Sequence, residues 1–121
     1  MKPKTLLFAA ALLLPATVFA HEAKGPNGGR IADAGVYHVE LVVKNTTLDL
    51  HITDAADKLV PAAGFKATAV LIAGGKSHRI ALEPAEATRL SGTAPVPFPK
   101  DPKGAVQLTA PDGSTTTANF K

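Results

Sequence analysis

The chain has 121 residues, 45% of them hydrophobic, and 13 Lys plus Arg against 10 Asp plus Glu for a formal net charge of +3, which bounds it to one small domain. It has no cysteine, so a disulfide framework, thiolate metal ligands and a cysteine nucleophile are all excluded. Its single methionine is Met1, and with that residue removed thioether coordination of Cu(I) is excluded as well.

The first twenty residues read as a secretory leader. Lys2 and Lys4 precede an apolar run over 6–14, and Val18-Phe19-Ala20 stands where a signal peptidase reads small or tolerated side chains. The run is too short for a membrane span, and no later stretch is long enough. Cleavage after Ala20 predicts a soluble periplasmic protein, and with no cysteine to acylate it is not a lipoprotein. Lys2 and Lys4 leave with the leader while every carboxylate stays, so the mature charge falls to about +1. A basic face for nucleic acid is not visible in that balance.

Residues 21–30, "HEAKGPNGGR", hold too much glycine and proline for regular structure and are expected to form a mobile arm ahead of a domain over 31–121. In "VYHVELVVKNTTLDLHIT", residues 36–53, apolar and polar positions alternate on both sides of Lys44-Asn45-Thr46-Thr47, which predicts a β-hairpin with one buried face. A connection over 54–64 follows. Strands over 65–73 and 76–83 flank Gly74-Gly75, a dipeptide suited to the positive φ angles of tight hairpin turns. A short strand over 88–93 runs into a proline-rich crossing segment, and strands over 105–110 and 115–120 surround Pro111-Asp112-Gly113. About seven antiparallel strands and no convincing helix predict an all-β domain, an immunoglobulin-like β-sandwich, with a small barrel as the alternative.

Four of the candidate ligands come from the first hairpin. If it turns symmetrically about Asn45-Thr46, Val39, Leu41 and Val43 face Ile52, Leu50 and Leu48 on the core side. The same register puts Glu40 opposite His51, Val42 opposite Asp49 and His38 opposite Thr53 on the outer side, with the two histidines as diagonal neighbours roughly 7 Å apart. His38, Glu40, Asp49 and His51 then share one patch, and two imidazoles with a carboxylate suit Zn(II) or Cu(II). After cleavage His21 would be the first residue, where amine and ring nitrogen can chelate one metal. A Glu–His pair across a hairpin is also an ordinary surface pairing. His78 shares parity with Ile80 and Leu82 and is expected to be a partly buried, structural histidine.

Enzyme signatures are missing. No serine stands in a Gly-x-Ser-x-Gly context. "AGGKS", residues 73–77, lacks the spacing of a phosphate loop and joins two strands instead of opening a helix.

"GPNGGRIADAGVYHVELVV", "LDLHITDAADKLVPAAG" and "GTAPVPFPKDPKGAVQLTAPDG" together resemble the small exported domain found alone, or ahead of the adaptor region, in periplasmic adaptor proteins of heavy-metal RND efflux systems. Tyr37, His38, Glu40 and Leu41 match the strand of that pattern, and Asp54, Asp57, Lys58 and Val60 match its following turn. The usual glycine and proline of the turn are absent, and Asn27 stands where the family often has a histidine. The resemblance implies a β-sandwich module of the cell envelope associated with copper, zinc, cobalt or cadmium. The function expected from residues and resemblance together is coordination or buffering of Cu(II) or Zn(II) without catalysis, with a heavy-metal efflux complex as the partner that the resemblance implies. The alternative is a metal-free interaction module. Because coordination needs neutral imidazole, metal binding is expected to weaken below about pH 6.5.

Overall fold

The computed structural model describes residues 24–121. Residues 1–20, expected to be a leader, and His21 lie outside the described residues. Eight strands follow one another: β1 (Arg30–Ala34), β2 (Tyr37–Lys44), β3 (Thr47–Thr53), β4 (Lys66–Ala73), β5 (Lys76–Glu86), β6 (Arg89–Thr93), β7 (Lys103–Thr109) and β8 (Thr115–Phe120). All pairings are antiparallel, in the order β1-β2-β3-β6-β5-β4-β7-β8. The all-β reading therefore holds, with no helix among the described residues.

Where the pattern suggested a sandwich, the strands form one continuous sheet curled into a nearly closed barrel, its two halves facing each other across a single core. Continuity comes from β5. Its residues up to Leu82 pair with β4, and those from Glu83 onward pair with β6, with a bulge between Pro84 and Glu86. Pro84, paired with Leu90, is tolerated there because it sits beyond the β4 ladder and beside a bulge. The bulge adds local twist, which turns the sheet from one half into the other.

Alternation fills the interior. Val39, Leu41, Leu48, Leu50, Ile52 and Leu90 from one half meet Leu71, Ile80, Leu82, Val106 and Leu108 from the other, all 3% exposed or less. Burying each such side chain stabilises the fold by roughly 1.5–3 kcal/mol. Two connections cross the barrel ends and close them. At one end Ala62 and Phe65 are buried, with Phe65 edge-on to Tyr37 at 5.3 Å. At the other, Ala94 and Phe98 are buried, and their N–H groups donate to the carbonyls of Thr46 and Asn45 at 2.7 and 3.0 Å. The interior is thus a packed core, and any site must lie on the outside.

The strand that pattern reading missed is β1. Arg30, Ala32 and Ala34 face inward and are buried, while Asp33 is exposed. Alanines carry a weak apolar signal, so the alternation of this strand is faint in the sequence. The seam between β1 and β8 is bridged by Arg30: its guanidinium donates to the carbonyls of Pro102 and Lys121 at 2.9 and 2.7 Å and lies 5.6 Å from the centre of the Phe120 ring.

Candidate functional site

The register of the first hairpin is the one expected. His38 pairs with Thr53, Glu40 with His51 and Val42 with Asp49, while Val39, Leu41 and Val43 pair with Ile52, Leu50 and Leu48. On the outer face this sets up rows across the sheet, because β1 and β6 extend the ladder. Asp33 stands beside His38, and Ile31, Glu40, His51 and Arg89 form the next row.

His38 and His51 line one recess, together with Val39, Glu40, Thr53, Ile31, Pro26, Asn27 and Leu59, around a cavity of about 50 Å³. That is room for a few waters or a small ion. The His38 ring is gripped from both sides, with Nε2 3.3 Å from Asp33 Oδ1 and Nδ1 3.3 Å from Asp57 Oδ1. Both aspartates are largely exposed, so these contacts orient the ring more than they stabilise the fold.

Asp57 reaches the ring because of the turn after β3. Asp54 accepts hydrogen bonds from the N–H groups of Ala56 and Lys58 at 2.8 and 3.0 Å, the local side-chain bonding that lets aspartate shape a turn. Those bonds, the one from Lys58 first, hold the Asp54 carboxyl below its ordinary pKa of 3.8. The backbone then returns along β3, with Leu59 bridging to Thr53 and the Val60 N–H donating to the Ile52 carbonyl at 3.0 Å. Leu59 forms a wall of the recess.

Glu40 lines the recess but is 5% exposed, and its oxygens are engaged. Oε2 accepts from the backbone N–H groups of Asn27 and Gly29 at 2.9 and 2.8 Å, and Oε1 accepts from Asn27 Nδ2 at 2.9 Å. Residues 25–29 consequently form a closed turn, with Gly28 N–H donating to the Gly25 carbonyl and Gly25 N–H to that of Gly29 at 3.0 and 2.8 Å. The turn covers the outer side of β2, which is why Val42 is also buried there.

Asp49 stands apart from the recess. It is 7% exposed, with Oδ1 3.7 Å from Arg89 Nε, and those two atoms form no hydrogen bond. Arg89 also lies 3.5 Å from Glu86, so the guanidinium opposite His51 is flanked by two carboxylates. His78 is half-buried and edge-on to Phe98 at 5.6 Å, the structural placement expected from its parity.

The structure thus brings His38, His51 and Glu40 to one recess and leaves Asp49 outside it. Sequence reasoning did not single out Asp33 and Asp57, the groups in contact with His38. The first is a cross-strand partner through the missed β1; the second arrives through a turn whose path depends on Asp54. Among the described residues no cluster of three His, Cys, Asp or Glu side chains is arranged to hold a metal ion, and no helix is long and apolar enough to cross a membrane. No protein-family model, curated protein or solved structure matches the chain.

Proposed function

We infer that the protein is an exported envelope module that takes up a divalent metal ion, Cu(II) or Zn(II), as cargo on the outer face of its first hairpin, without turnover. The observation that carries this reading is the shared recess of His38 and His51. Imidazole nitrogens suit both ions, and a histidine held at its second nitrogen by a carboxylate is the arrangement that orients metal-bound imidazoles. Either ring nitrogen of His38 can be offered to the ion while the other stays on its aspartate. Glu40 has its oxygens engaged by N–H groups, so it supports the site chiefly by shaping the recess, while Asp49, outside the recess beside Arg89, adds no donor to it. His21, outside the described residues, is a further candidate nitrogen donor through its ring and a freed amine. Export, the periplasm and kinship to heavy-metal efflux adaptors belong to the same proposal and rest on the leader-like residues 1–20 and the turn and strand motifs.

A second reading, a metal-free docking module, is favoured by two apolar side chains at this end. Leu59 at the wall of the recess is 59% exposed, and Val36, two residues before His38, is 72% exposed. One titration separates the readings. Cu(II) and Zn(II) are titrated by calorimetry against the processed protein and its His38→Ala, His51→Ala double variant. Micromolar or tighter binding, lost in the double variant, is expected. Wild-type affinity no better than millimolar sinks the metal reading. Binding kept by the double variant but abolished by acetylating the amino terminus moves the site to His21 alone.

A further inference from the structure

His78 has the core-side placement that its parity demands, yet the core supplies its ring with no hydrogen bond. It stands opposite Leu71 in the ladder and edge-on to Phe98 at 5.6 Å, half-buried, and among the described residues neither ring nitrogen has a hydrogen-bond or ion-pair partner. An imidazole pressed against apolar neighbours loses hydration on that side, so its nitrogens depend for partners on whatever fills the space in front of them. That space is a cavity of about 380 Å³, open on one side, between the β4–β5 hairpin and the segment that crosses this end of the barrel, lined by Ala73, Gly74, Lys76, His78, Val96 and Pro97. Its walls are fixed by the fold. Val96 and Pro97 are held on both sides, because Ala94 and Phe98 donate to the carbonyls of Thr46 and Asn45. On the other side the turn is made of Gly74 and Gly75, with φ of 62° and 79° and nothing within 4 Å of where a Cβ would stand, so it bounds the cavity without filling it.

Two polar groups converge on these apolar walls. Lys76 shares the parity of His78, their Cα atoms roughly 6.5–7 Å apart along the strand. Among the described residues Lys76 takes part in no ion pair, and no Asp or Glu lines the cavity. An apolar concavity at the mouth of a β-barrel with a few convergent polar groups is the usual form of a small-molecule site. One permanent cation matches one negative charge, and a carboxylate has two oxygens with which to accept from an ammonium and an imidazole together. We propose that this cavity binds a small monocarboxylate with an apolar body, its carboxylate accepting hydrogen bonds from Lys76 Nζ and the His78 ring and its body lying against Val96 and Pro97. The cavity shares no lining residue with the histidine recess, so this site does not rest on the metal reading.

The test titrates phenylacetate into the protein at neutral pH and low ionic strength, with phenylacetamide as the neutral probe of the same shape, and follows backbone amide and histidine ring resonances. Saturable shifts centred on Lys76, His78 and Val96 are expected, with affinity for the amide about tenfold lower. Lys76→Gln should weaken phenylacetate binding about tenfold, and His78→Phe, which keeps a ring against Phe98 but removes both nitrogens, by about fivefold or more. Lys66→Gln removes the same charge at the far end of β4 and should change affinity by less than about twofold. Equal affinity for acid and amide, unchanged binding in either Lys76→Gln or His78→Phe, a loss in Lys66→Gln as large as that in Lys76→Gln, or no saturation by about 10 mM phenylacetate overturns the proposal.

Discussion

The backbone N–H of Gly29 donates to Glu40 Oε2 across 2.8 Å in the buried layer between the closed turn of residues 25–29 and the outer face of β2. With the two further donors from Asn27, Glu40 ties a glycine-rich segment to the sheet. Hydrogen bonds to a charged acceptor contribute about 1.5–3 kcal/mol each, and orphaned buried donors cost more than exposed ones. Glu40→Ala is expected to destabilise the protein by about 2–4 kcal/mol and to release the amides of Asn27 and Gly29 to fast hydrogen exchange. Unchanged protection at both amides would remove the anchoring role.

Glycine is required in this turn for space. A Cβ on Gly29 would collide with the Leu41 carbonyl and Val42, and one on Gly25 would overlap the Glu40 side chain. Gly29→Ala should cost about 1–3 kcal/mol through a forced backbone shift, whereas Gly113→Ala, with open space around it but φ of 91°, should cost about 1 kcal/mol. Urea midpoints in the reverse order would contradict this packing.

Leu50 and Leu90 face each other across β3 and β6 with no exposed surface. Leu50→Ala is expected to lose about 2–5 kcal/mol because the barrel interior cannot collapse onto the gap. For a domain of this size that lowers Tm by about 4–8 °C per kcal/mol, measurable by calorimetry. A loss below about 1 kcal/mol would mean that this contact is not central to the core.

The two turn aspartates give a pH signature. Asp54 is held below the ordinary carboxyl pKa chiefly by the Lys58 and Ala56 N–H groups, and Asp112 by the backbone and then the hydroxyl of Ser114. A carboxyl with a lowered folded-state pKa contributes stability that is complete above the unfolded value and lost as pH falls through the folded one. Both should titrate by carbon NMR with midpoints under 3.8, and their contribution should fade only in acid below about pH 4. Midpoints at or above the ordinary value would show that the turns do not hold these bonds in solution.

Much of the scaffold was legible because its strands obey a period of two. The Val39, Leu41, Leu48, Leu50 and Ile52 positions could only be buried together in the register observed, and a shift by one residue would have exposed the set. The alanine-rich β1 was less legible, as was the curl through β5, since a bulge at Pro84 and Glu86 is a feature of pairing and not of composition.

Sequence by itself determined that His38 and His51 share an outer face, because parity and a symmetric turn decide which way each side chain points. Only the tertiary structure decided what surrounds them. Asp33 and Asp57 reach the His38 ring from other segments, Glu40 gives its oxygens to the arm, and Asp49 goes to Arg89. The same holds for Lys24, Lys103 and Lys121, which meet around Arg30 from three separate segments. Local periodicity specifies orientation within a hairpin, whereas neighbours distant in the chain meet only when the sheet curls and its first and last strands approach.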